Sequence, residues 1–362
     1  MPSLQDAINF AIAHEIDWAR DPSADAAHWG IHLNDPAPWN VLRGPVHARG
    51  PASGVVLQGH RVLAEWGEPE RVDLTFSIAK TYLAILAGIA HDRGLLPDPN
   101  EPVSLRVQGI GFDSPHNAPI TWLQLLQQTS EWEGLCFGLP EQVDRYRTVI
   151  YGGEPAQGAK GDARPLRRPG SFWEYNDVRI NQLSLAMLHL FGQPLPEVFE
   201  QAVMRPLGCT SAWQWVGYHD SWTEIIDRAS GQTRRVQSVP GGTHWGGGVS
   251  ISARDQARIA RMILSGGVHQ TAEGASTRIL SQAWVERMHT PCAIAPFYGL
   301  LTWLNDGPKQ VYPAASRRSS FMIGAGGQCA WMDPERDLVV VSRWLAPEHT
   351  NEFFRQLLLA LD

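Results

Sequence analysis

Ser77 and Lys80 are the first residues in the chain whose types and spacing could carry out nucleophilic chemistry. The sequence predicts a helix from Ser77 to about Asp92, and residues i and i+3 of a helix have Cβ atoms about 5–6 Å apart. A serine hydroxyl becomes nucleophilic when a base accepts its proton, and a lysine amine can be that base where apolar surroundings disfavour its charge. The uncharged run YLAILAGIA after Lys80 provides such surroundings.

The simpler interpretation of this pair is an N-cap serine followed by a solvated first-turn lysine. Two features favour chemistry instead. Lys80 is one of only three lysines in a chain of 362 residues, in which arginine supplies the other 27 basic side chains. The segment Ser77-Ile78-Ala79-Lys80 is also the only Ser-x-x-Lys in the sequence.

A tyrosine about a hundred residues downstream is the next candidate. The segment FWEYNDVRINQLSL places Tyr175 directly before a predicted helix over residues 176–192. A phenol close to an ammonium group loses its proton more easily and can then act as a base. The alternative for Tyr175 is a half-buried aromatic side chain whose hydroxyl is satisfied by a neighbour.

The glycines of MIGAGGQCAWMDPERDLVVVSRW form a third feature, because Gly324, Gly326 and Gly327 fall within a strand pattern. Glycine weakens strand pairing and often marks the close approach of a ligand or of another backbone. Strand amides here could bind a carbonyl oxygen, and a β-bulge is the alternative. The segment is not a dinucleotide-binding fingerprint, because a strand and an Asp-Pro turn follow it rather than a helix.

In this order the three features resemble the serine β-lactamase-related family of penicillin-binding proteins, class C enzymes, esterases and 6-aminohexanoate-dimer hydrolases. Ser77 to Lys80 matches the family's Ser-x-x-Lys motif, Tyr175 the tyrosine of Tyr-x-Asn, and GAGGQ the place of Lys-Thr-Gly. WLQLLQQTSEWEG and GGGVSISARDQARIARMIL resemble two further family segments, and the resemblance covers roughly residues 50–345.

Two departures from the family pattern affect the expected substrate. Asp177 occupies the usual asparagine position, with Asn176 one residue earlier, and no lysine or histidine precedes the glycines of the third motif. Relatives that bind β-lactam or D-alanine carboxylates commonly use that cation. We therefore expect a serine hydrolase of the carboxylesterase or amidase type, acting on an ester or a linear amide.

Three alternatives remain beside this expectation. The same site could have β-lactamase or D-amino-acid peptidase activity, or the chain could be a non-catalytic ligand-binding relative. An α/β-hydrolase is disfavoured, because the chain contains no Gly-x-Ser-x-Gly segment.

The resemblance implies a role for each candidate residue. Ser77 attacks the carbonyl, Lys80 and Tyr175 together relay its proton, and the amides of Ser77 and of Ala325 or Gly327 hold the oxyanion. The residues assigned to substrate binding are Trp132, Asn176, Asp177, His244, Trp245 and Gly326, although His244 and Trp245 fit a structural role equally well. No cofactor is expected, and no metal either, because the chain has no HExxH and its 13 histidines lack ligand spacing.

The elements that must position these residues alternate in type along the chain. Strand patterns occur near both ends, including a hairpin at 53–67, the segment YGLLTWLN and two strands within 319–344. Helical patterns fill the middle, including one over 119–130, whereas the irregular stretch 138–170 is expected to be functional or mobile.

These patterns predict an α/β (α+β) fold of the β-lactamase/transpeptidase-like type, with a mainly antiparallel sheet flanked by helices. Residues 1–76 and 238–362 are expected to form the sheet-containing lobe. Residues 77–237 are expected to form an inserted, mainly helical lobe, with the active site between the two.

Composition restricts the partners and the compartment. The net charge of −7 and the lack of basic runs give no reason to expect nucleic acid, and no stretch approaches the roughly 20 apolar residues that cross a bilayer. The N-terminus has no basic leader, and four widely spaced cysteines indicate reduced thiols. We therefore expect a cytoplasmic protein that acts on a small molecule.

Overall fold

The computed structural model describes residues 3–24, 29–147, 149, 158–210, 212–270 and 274–362. The helices are α1 (Leu4–Ala13), α2 (Ala79–Asp92), α3 (Trp122–Leu126), α4 (Asp177–Phe191), α5 (Leu195–Phe199), α6 (Ala253–Leu264), α7 (Gln282–Met288) and α8 (Thr350–Leu361). The strands are β1 (Ser53–Gln58), β2 (Arg61–Trp66), β3 (Asp73–Leu74), β4 (Leu135–Cys136), β5 (Leu139–Pro140), β6 (Gln214–Val216), β7 (Trp222–Ile226), β8 (Thr233–Gln237), β9 (Gly248–Ile251), β10 (Val268–Gln270), β11 (Ser276–Arg278), β12 (Trp303–Leu304), β13 (Ser320–Gly324), β14 (Gln328–Asp333) and β15 (Leu338–Arg343).

A six-stranded antiparallel sheet forms the centre of the molecule, with strand order β12-β13-β14-β15-β1-β2. Its strands come from both ends of the sequence, as the strand patterns predicted. β15 is buried along its whole length, which fits its apolar run LVVV. Helix α6 packs on β1, β14 and β15, and α1 packs against α8. The predicted antiparallel sheet flanked by helices is confirmed.

The glycine-rich segment is a turn rather than part of a strand. Residues 319–344 contain three strands, not the two that the sequence predicted, and residues 325–327 connect β13 to β14. Gly326 and Gly327 both adopt positive φ angles, of 68° and 69°, which glycine reaches without the steric cost that a Cβ imposes. The chain therefore reverses its direction between β13 and β14 at two glycines, which can adopt these φ angles.

Two other elements are shorter than predicted. The helix expected over 119–130 covers only Trp122–Leu126, because the chain leaves the helix at Gln127 and Gln128 has φ = 58°. The predicted strand YGLLTWLN is reduced to Trp303–Leu304. In both places, loop geometry replaces a regular element that the apolar pattern favoured.

The helix that carries Lys80 is buried on all sides from Ala79 to Ala90, as expected for a helix without a polar face. A 3-10 turn, Phe76–Ile78, precedes it and contains Ser77. The predicted helix at 176–192 is confirmed as α4, which ends at Gly192 in the left-handed conformation.

The proposed division into lobes at residues 76/77 and 237/238 remains a prediction. α2 to α5 lie between the strands that supply the two halves of the central sheet. The small sheet β3-β9-β6 combines strands from before, within and after the predicted insertion. No described helix is long and apolar enough to cross a membrane.

Candidate active site

Ser77 is held in a fixed position by the residues that precede it. The backbone N–H and the hydroxyl of Thr75 both donate to the carbonyl of Val249, at 2.8 and 2.9 Å. Phe76 has φ = 51°, an unfavourable angle for a bulky residue, and its ring is fully buried. Such a conformation persists only where surrounding contacts impose it, so the strained turn presents Ser77 in a single orientation.

The ring of Phe76 packs into an aromatic cluster that supplies those contacts. The ring centroids of Trp18, Trp29 and Trp344 lie 5.8, 6.0 and 6.1 Å from that of Phe76. Trp18 also lines the cavity next to Ser77. The aromatic cluster therefore packs against the strained residue Phe76 and, through Trp18, also forms part of the cavity wall.

Lys80 contacts Ser77 and Tyr175, as the sequence predicted, and also Asp177. Its Nζ donates to Ser77 Oγ at 2.8 Å, forms an ion pair with Asp177 Oδ1 at 2.6 Å and lies 4.6 Å from the centroid of the Tyr175 ring. The side chain is only 1% exposed. The structure thus brings Ser77, Lys80 and Tyr175 together.

Tyr175 and Asp177 are positioned by the start of helix α4. Asn176 is the N-cap, and its Oδ1 accepts from the backbone N–H groups of Val178 and Arg179 at 3.0 and 3.3 Å. Its Nδ2 donates to the Glu141 carbonyl at 3.1 Å. Asn176 therefore caps the helix, whereas the side chains of Tyr175 and Asp177 contact Lys80.

Asp177 lies in a strongly cationic environment. Burial acts to raise its pKa, but Arg147, 2.9 Å from Oδ1, and Lys80 outweigh burial and hold the pKa of Asp177 well below its usual range. Gly242 leaves room for the pair, since a Cβ at that position would lie 2.8 Å from Lys80 Nζ. The carboxylate of Asp177 therefore serves as the counter-ion of Lys80.

A wider cluster of buried charges extends from Asp177. Arg147 Nη1 lies 3.2 Å from Asp144 Oδ2, and Lys160 Nζ lies 3.2 Å from Asp144 Oδ1 and also contacts Asp35. Burial raises the pKa of Asp144, while the neighbouring Arg147 acts to lower it. Together with the Lys80–Asp177 pair, these residues place three basic side chains against three acidic ones.

His244 closes this cluster and lines the cavity. Burial, together with Arg147 and Lys160, holds the pKa of His244 well below its usual range, so the imidazole is neutral. Its Nε2 lies 2.9 Å from Asp35 Oδ2, an arrangement in which Nε2–H donates to the carboxylate. His244 therefore adds a polar wall without adding charge.

The other residues that the sequence predicted to bind substrate do not all lie at the cavity. Trp245 is fully buried and donates from Nε1 to Asp35 Oδ2 at 2.6 Å. Trp132 is buried beside Phe112, with ring centroids 4.9 Å apart, and does not belong to the described wall of the cavity. Gly326 does line the cavity.

The turn at residues 325–327 lies close to the serine segment. A Cβ on Gly324 would collide with the Thr75 carbonyl and lie 3.2 Å from Phe76 Cβ, so glycine permits β13 to approach the residues before Ser77. A Cβ on Gly327 would collide with the Leu345 carbonyl. Ala325 and Gly327 both line the same cavity as Ser77, which is where an oxyanion hole would have to lie.

The cavity has a volume of about 670 Å³ and is walled mainly by apolar side chains. Ser77 and Tyr175 line it together with Arg147, Lys160 and His244. Its apolar wall includes Ile16, Trp18, Ile31, Trp303, Tyr312 and Ile323. Such a space accommodates a small organic substrate with an apolar portion.

Three potential metal ligands, Asp35, Asp144 and His244, have ligand atoms within 4.8 Å of one another. The ammonium of Lys160 lies among them, 3.3 Å from His244 Nε2. Lys160 therefore supplies the positive charge that faces these carboxylates. The expectation of a metal-free site stays a prediction.

A second network of buried ion pairs surrounds Arg179, which lies in the first turn of α4. Arg179 is fully buried and forms ion pairs with Glu131, Glu141 and Glu174. Arg164 joins Glu131 and Glu174 at 2.7 and 3.0 Å. This network connects α4 to the irregular stretch 138–170, of which residues 148 and 150–157 lie outside the described residues.

Sequence analysis missed four residues of the charge cluster: Asp35, Asp144, Arg147 and Lys160. They lie in segments without clear periodicity, and only the folded chain brings them to Lys80. One signal was available for Lys160, because the scarcity of lysine that singled out Lys80 applies to it equally. The third lysine, Lys309, is exposed.

Comparison with known proteins finds a matching family model and similar proteins of known name. The family model described as Beta-lactamase matches residues 40–343. The chain is 25% identical over 325 residues to the 6-aminohexanoate-dimer hydrolase of Paenarthrobacter ureafaciens, covering 81% of this chain and 73% of that protein.

Two solved structures show the same fold. One is EstCE1, a hydrolase with promiscuous acyltransferase activity, at a TM-score of 0.58 and 17% identity, covering 86% of this chain and 93% of that one. The other is a D-stereospecific amidohydrolase from Streptomyces sp., at a TM-score of 0.53 and 18% identity, covering 82% and 89%.

Proposed function

Because the chain belongs to the β-lactamase family, whose model matches residues 40–343, we propose that it is a serine hydrolase that cleaves an ester or a linear amide through an acyl-enzyme on Ser77. The observation that carries this proposal is the 2.8 Å hydrogen bond from Lys80 Nζ to Ser77 Oγ at the wall of a substrate-sized cavity.

In the acylation step, Ser77 Oγ bonds to the substrate carbonyl carbon as its proton passes to Lys80. Lys80, which begins as an ammonium paired with Asp177, passes one of its own protons to the phenolate of Tyr175 and so stays charged. The amides of Ser77 and of Ala325 or Gly327 hold the carbonyl oxygen as it becomes negative. When the bond to the leaving group breaks, that group takes the proton from Tyr175.

In the deacylation step, a water molecule replaces the leaving group. Tyr175 accepts a proton from this water, which attacks the acyl carbon, and the bond to Ser77 Oγ breaks. Ser77 recovers its proton through Lys80 and Tyr175, and the free acid leaves. The leaving group thus carries away the proton that Ser77 lost, and the attacking water supplies the proton that restores Ser77.

The walls of the cavity favour a neutral substrate with an apolar acyl group. The cations that line it, Arg147 and Lys160, already face carboxylates, and the residues before Gly324 are Met322 and Ile323 rather than a cation. The name of one relative, a 6-aminohexanoate-dimer hydrolase, supports the cleavage of a linear amide. The proposed location is cytoplasmic, and the proposed partner is a small molecule, with no nucleic acid or membrane.

The test is the hydrolysis of neutral p-nitrophenyl esters and of matched anilides by the wild type and by Ser77→Ala. We expect kcat/KM to fall by about a thousandfold or more in Ser77→Ala. The control is Ser184→Ala, which removes another buried hydroxyl; Ser184 lies on α4 and donates to the Val239 carbonyl. Turnover that survives in Ser77→Ala would overturn the proposal, and a preference for β-lactams over both substrates would favour the β-lactamase alternative.

A further inference from the structure

Arg147 is placed against the two residues that surround Lys80. Its Cζ lies 5.0 Å from the centroid of the Tyr175 ring, and its Nη1 lies 2.9 Å from Asp177 Oδ1. The side chain is 12% exposed, and the residue lines the cavity. A guanidinium at this place therefore faces both the phenol and the counter-ion of Lys80.

The charged neighbours of Tyr175 determine how readily its phenol carries negative charge. Lys80 and Arg147 approach its ring as cations, and Asp177 is the carboxylate that they share. Tyr298, with its ring centroid 6.4 Å away, remains neutral because burial raises its pKa well above the usual range. The aromatic neighbours Trp173 and Trp303 carry no charge.

Removal of Arg147 would change this balance in one direction. Without Arg147, the phenol loses one of the two cations beside its ring, and Asp177 keeps only Lys80 of these two as an ion-pair partner. Lys80 cannot make up the loss, because its ammonium is already bonded to Ser77 and Asp177. Negative charge that develops on the phenol would then be less well stabilised.

We propose that Arg147 is a positioning residue that acts through Tyr175 and Asp177, stabilising the phenolate that accepts a proton from Lys80 as Lys80 takes the proton of Ser77. This inference rests on the proposed function and adds to it a residue from the irregular stretch 138–170. The stretch thereby contributes an electrostatic part of the proton relay, in addition to forming a wall of the cavity.

The experiment compares wild type, Arg147→Met and Arg147→Lys on a neutral p-nitrophenyl ester, with kcat and KM measured across the pH range in which the wild type is stable. On the acidic side of the pH profile, kcat/KM falls as the pH is lowered, and we call this fall the acidic limb. In Arg147→Met we expect the acidic limb to lie about one pH unit or more higher than in the wild type, because an opposite charge at this distance shifts a titration by that amount. Activity near neutral pH falls by about tenfold, KM changes by less than about threefold, and the rate recovers at high pH. Arg147→Lys keeps the charge, so its acidic limb lies near that of the wild type.

Arg145→Met is the matched control, because Arg145 lies in the same stretch and pairs with Glu141 at 2.5 Å, outside the cavity wall. It is expected to lower the melting temperature without moving the acidic limb. If Arg147→Met does not fold, Arg147→Gln replaces it in the same comparison.

An unmoved limb in the folded neutral variant would overturn the inference, as would a change confined to KM, which would instead mark Arg147 as a binding residue. These outcomes differ from a failure of the proposed function. If the wild type shows no turnover that depends on Ser77, both fall together. If turnover depends on Ser77 but not on the charge of Arg147, only the inference fails.

Discussion

The replacement of Asp177 by asparagine tests the buried ion pair on which the site depends. Lys80 and Asp177 lie 2.6 Å apart, with side chains 1% and 2% exposed, so neither charge has water as an alternative partner. Removal of one partner of such a pair typically costs about 3–5 kcal/mol. Because asparagine still offers Lys80 an oxygen, we expect the lower end, about 3 kcal/mol of unfolding free energy.

The loss should also depend on pH in a defined direction. Burial acts to raise the pKa of Asp177, but Arg147 and Lys80 lower it well below the usual range. A carboxyl whose pKa is depressed in the folded state stabilises the protein above its unfolded value of about 3.9, and this stabilisation is lost as the pH falls below it. The difference between wild type and Asp177→Asn should therefore shrink by about 1.4 kcal/mol per pH unit below about pH 4.

The assay is guanidinium unfolding of both proteins near neutral pH and below about pH 4, with equal m-values as the check that ΔG values are comparable. The control is Asp337→Asn, which breaks the exposed pair with Arg261 and should cost less than about 1 kcal/mol. A loss of less than about 1 kcal/mol for Asp177→Asn near neutral pH, or a loss that does not change with pH, would refute the reasoning.

Three further substitutions have defined outcomes. Burial acts to raise the pKa of Glu131, but Arg164 and a second arginine outweigh burial and hold it at about 2, so Glu131→Gln should cost about 3 kcal/mol above about pH 4.3. That difference should vanish as the pH falls to about 2, as chemical unfolding would measure. Gly324→Ala should push the Thr75 carbonyl away and lower kcat by about tenfold or more, measured beside the melting temperature. Tyr175→Phe should lower kcat by about 10²–10⁴ and leave the melting temperature almost unchanged, whereas an undiminished kcat would exclude Tyr175 as the base.

The parts of the site that follow from local rules were predictable from the sequence. The spacing of Ser77 and Lys80 determines that both lie on one side of a helical turn, and apolar residues after Lys80 predict its burial. The position of Tyr175 follows from a cap residue and a helix that starts immediately after it. Each of these inferences needs only neighbours in the sequence.

The parts that depend on distant contacts were not predictable in the same way. The run from Gly324 to Gln328 fits a strand, a bulge or a turn equally well, and only the pairing of Gly324 with Gln328 across β13 and β14 distinguishes them. The sequence showed Asp177 only as a departure from the family pattern. Its role as a counter-ion depends on its ion pairs with Lys80 and Arg147, which form only in the folded chain. Arg147 and Lys160 lie in a stretch without periodicity, so no local pattern places them at the site.

The most direct test of the central claim is intact-protein mass spectrometry after incubation with a fluorophosphonate, with wild type and Ser77→Ala compared. The proposed mechanism predicts a single adduct on the wild type that maps to the peptide containing Ser77 and is absent from the variant. Wild-type protein that stays unlabelled, or equal labelling of Ser77→Ala, would contradict the claim that Ser77 is the nucleophile.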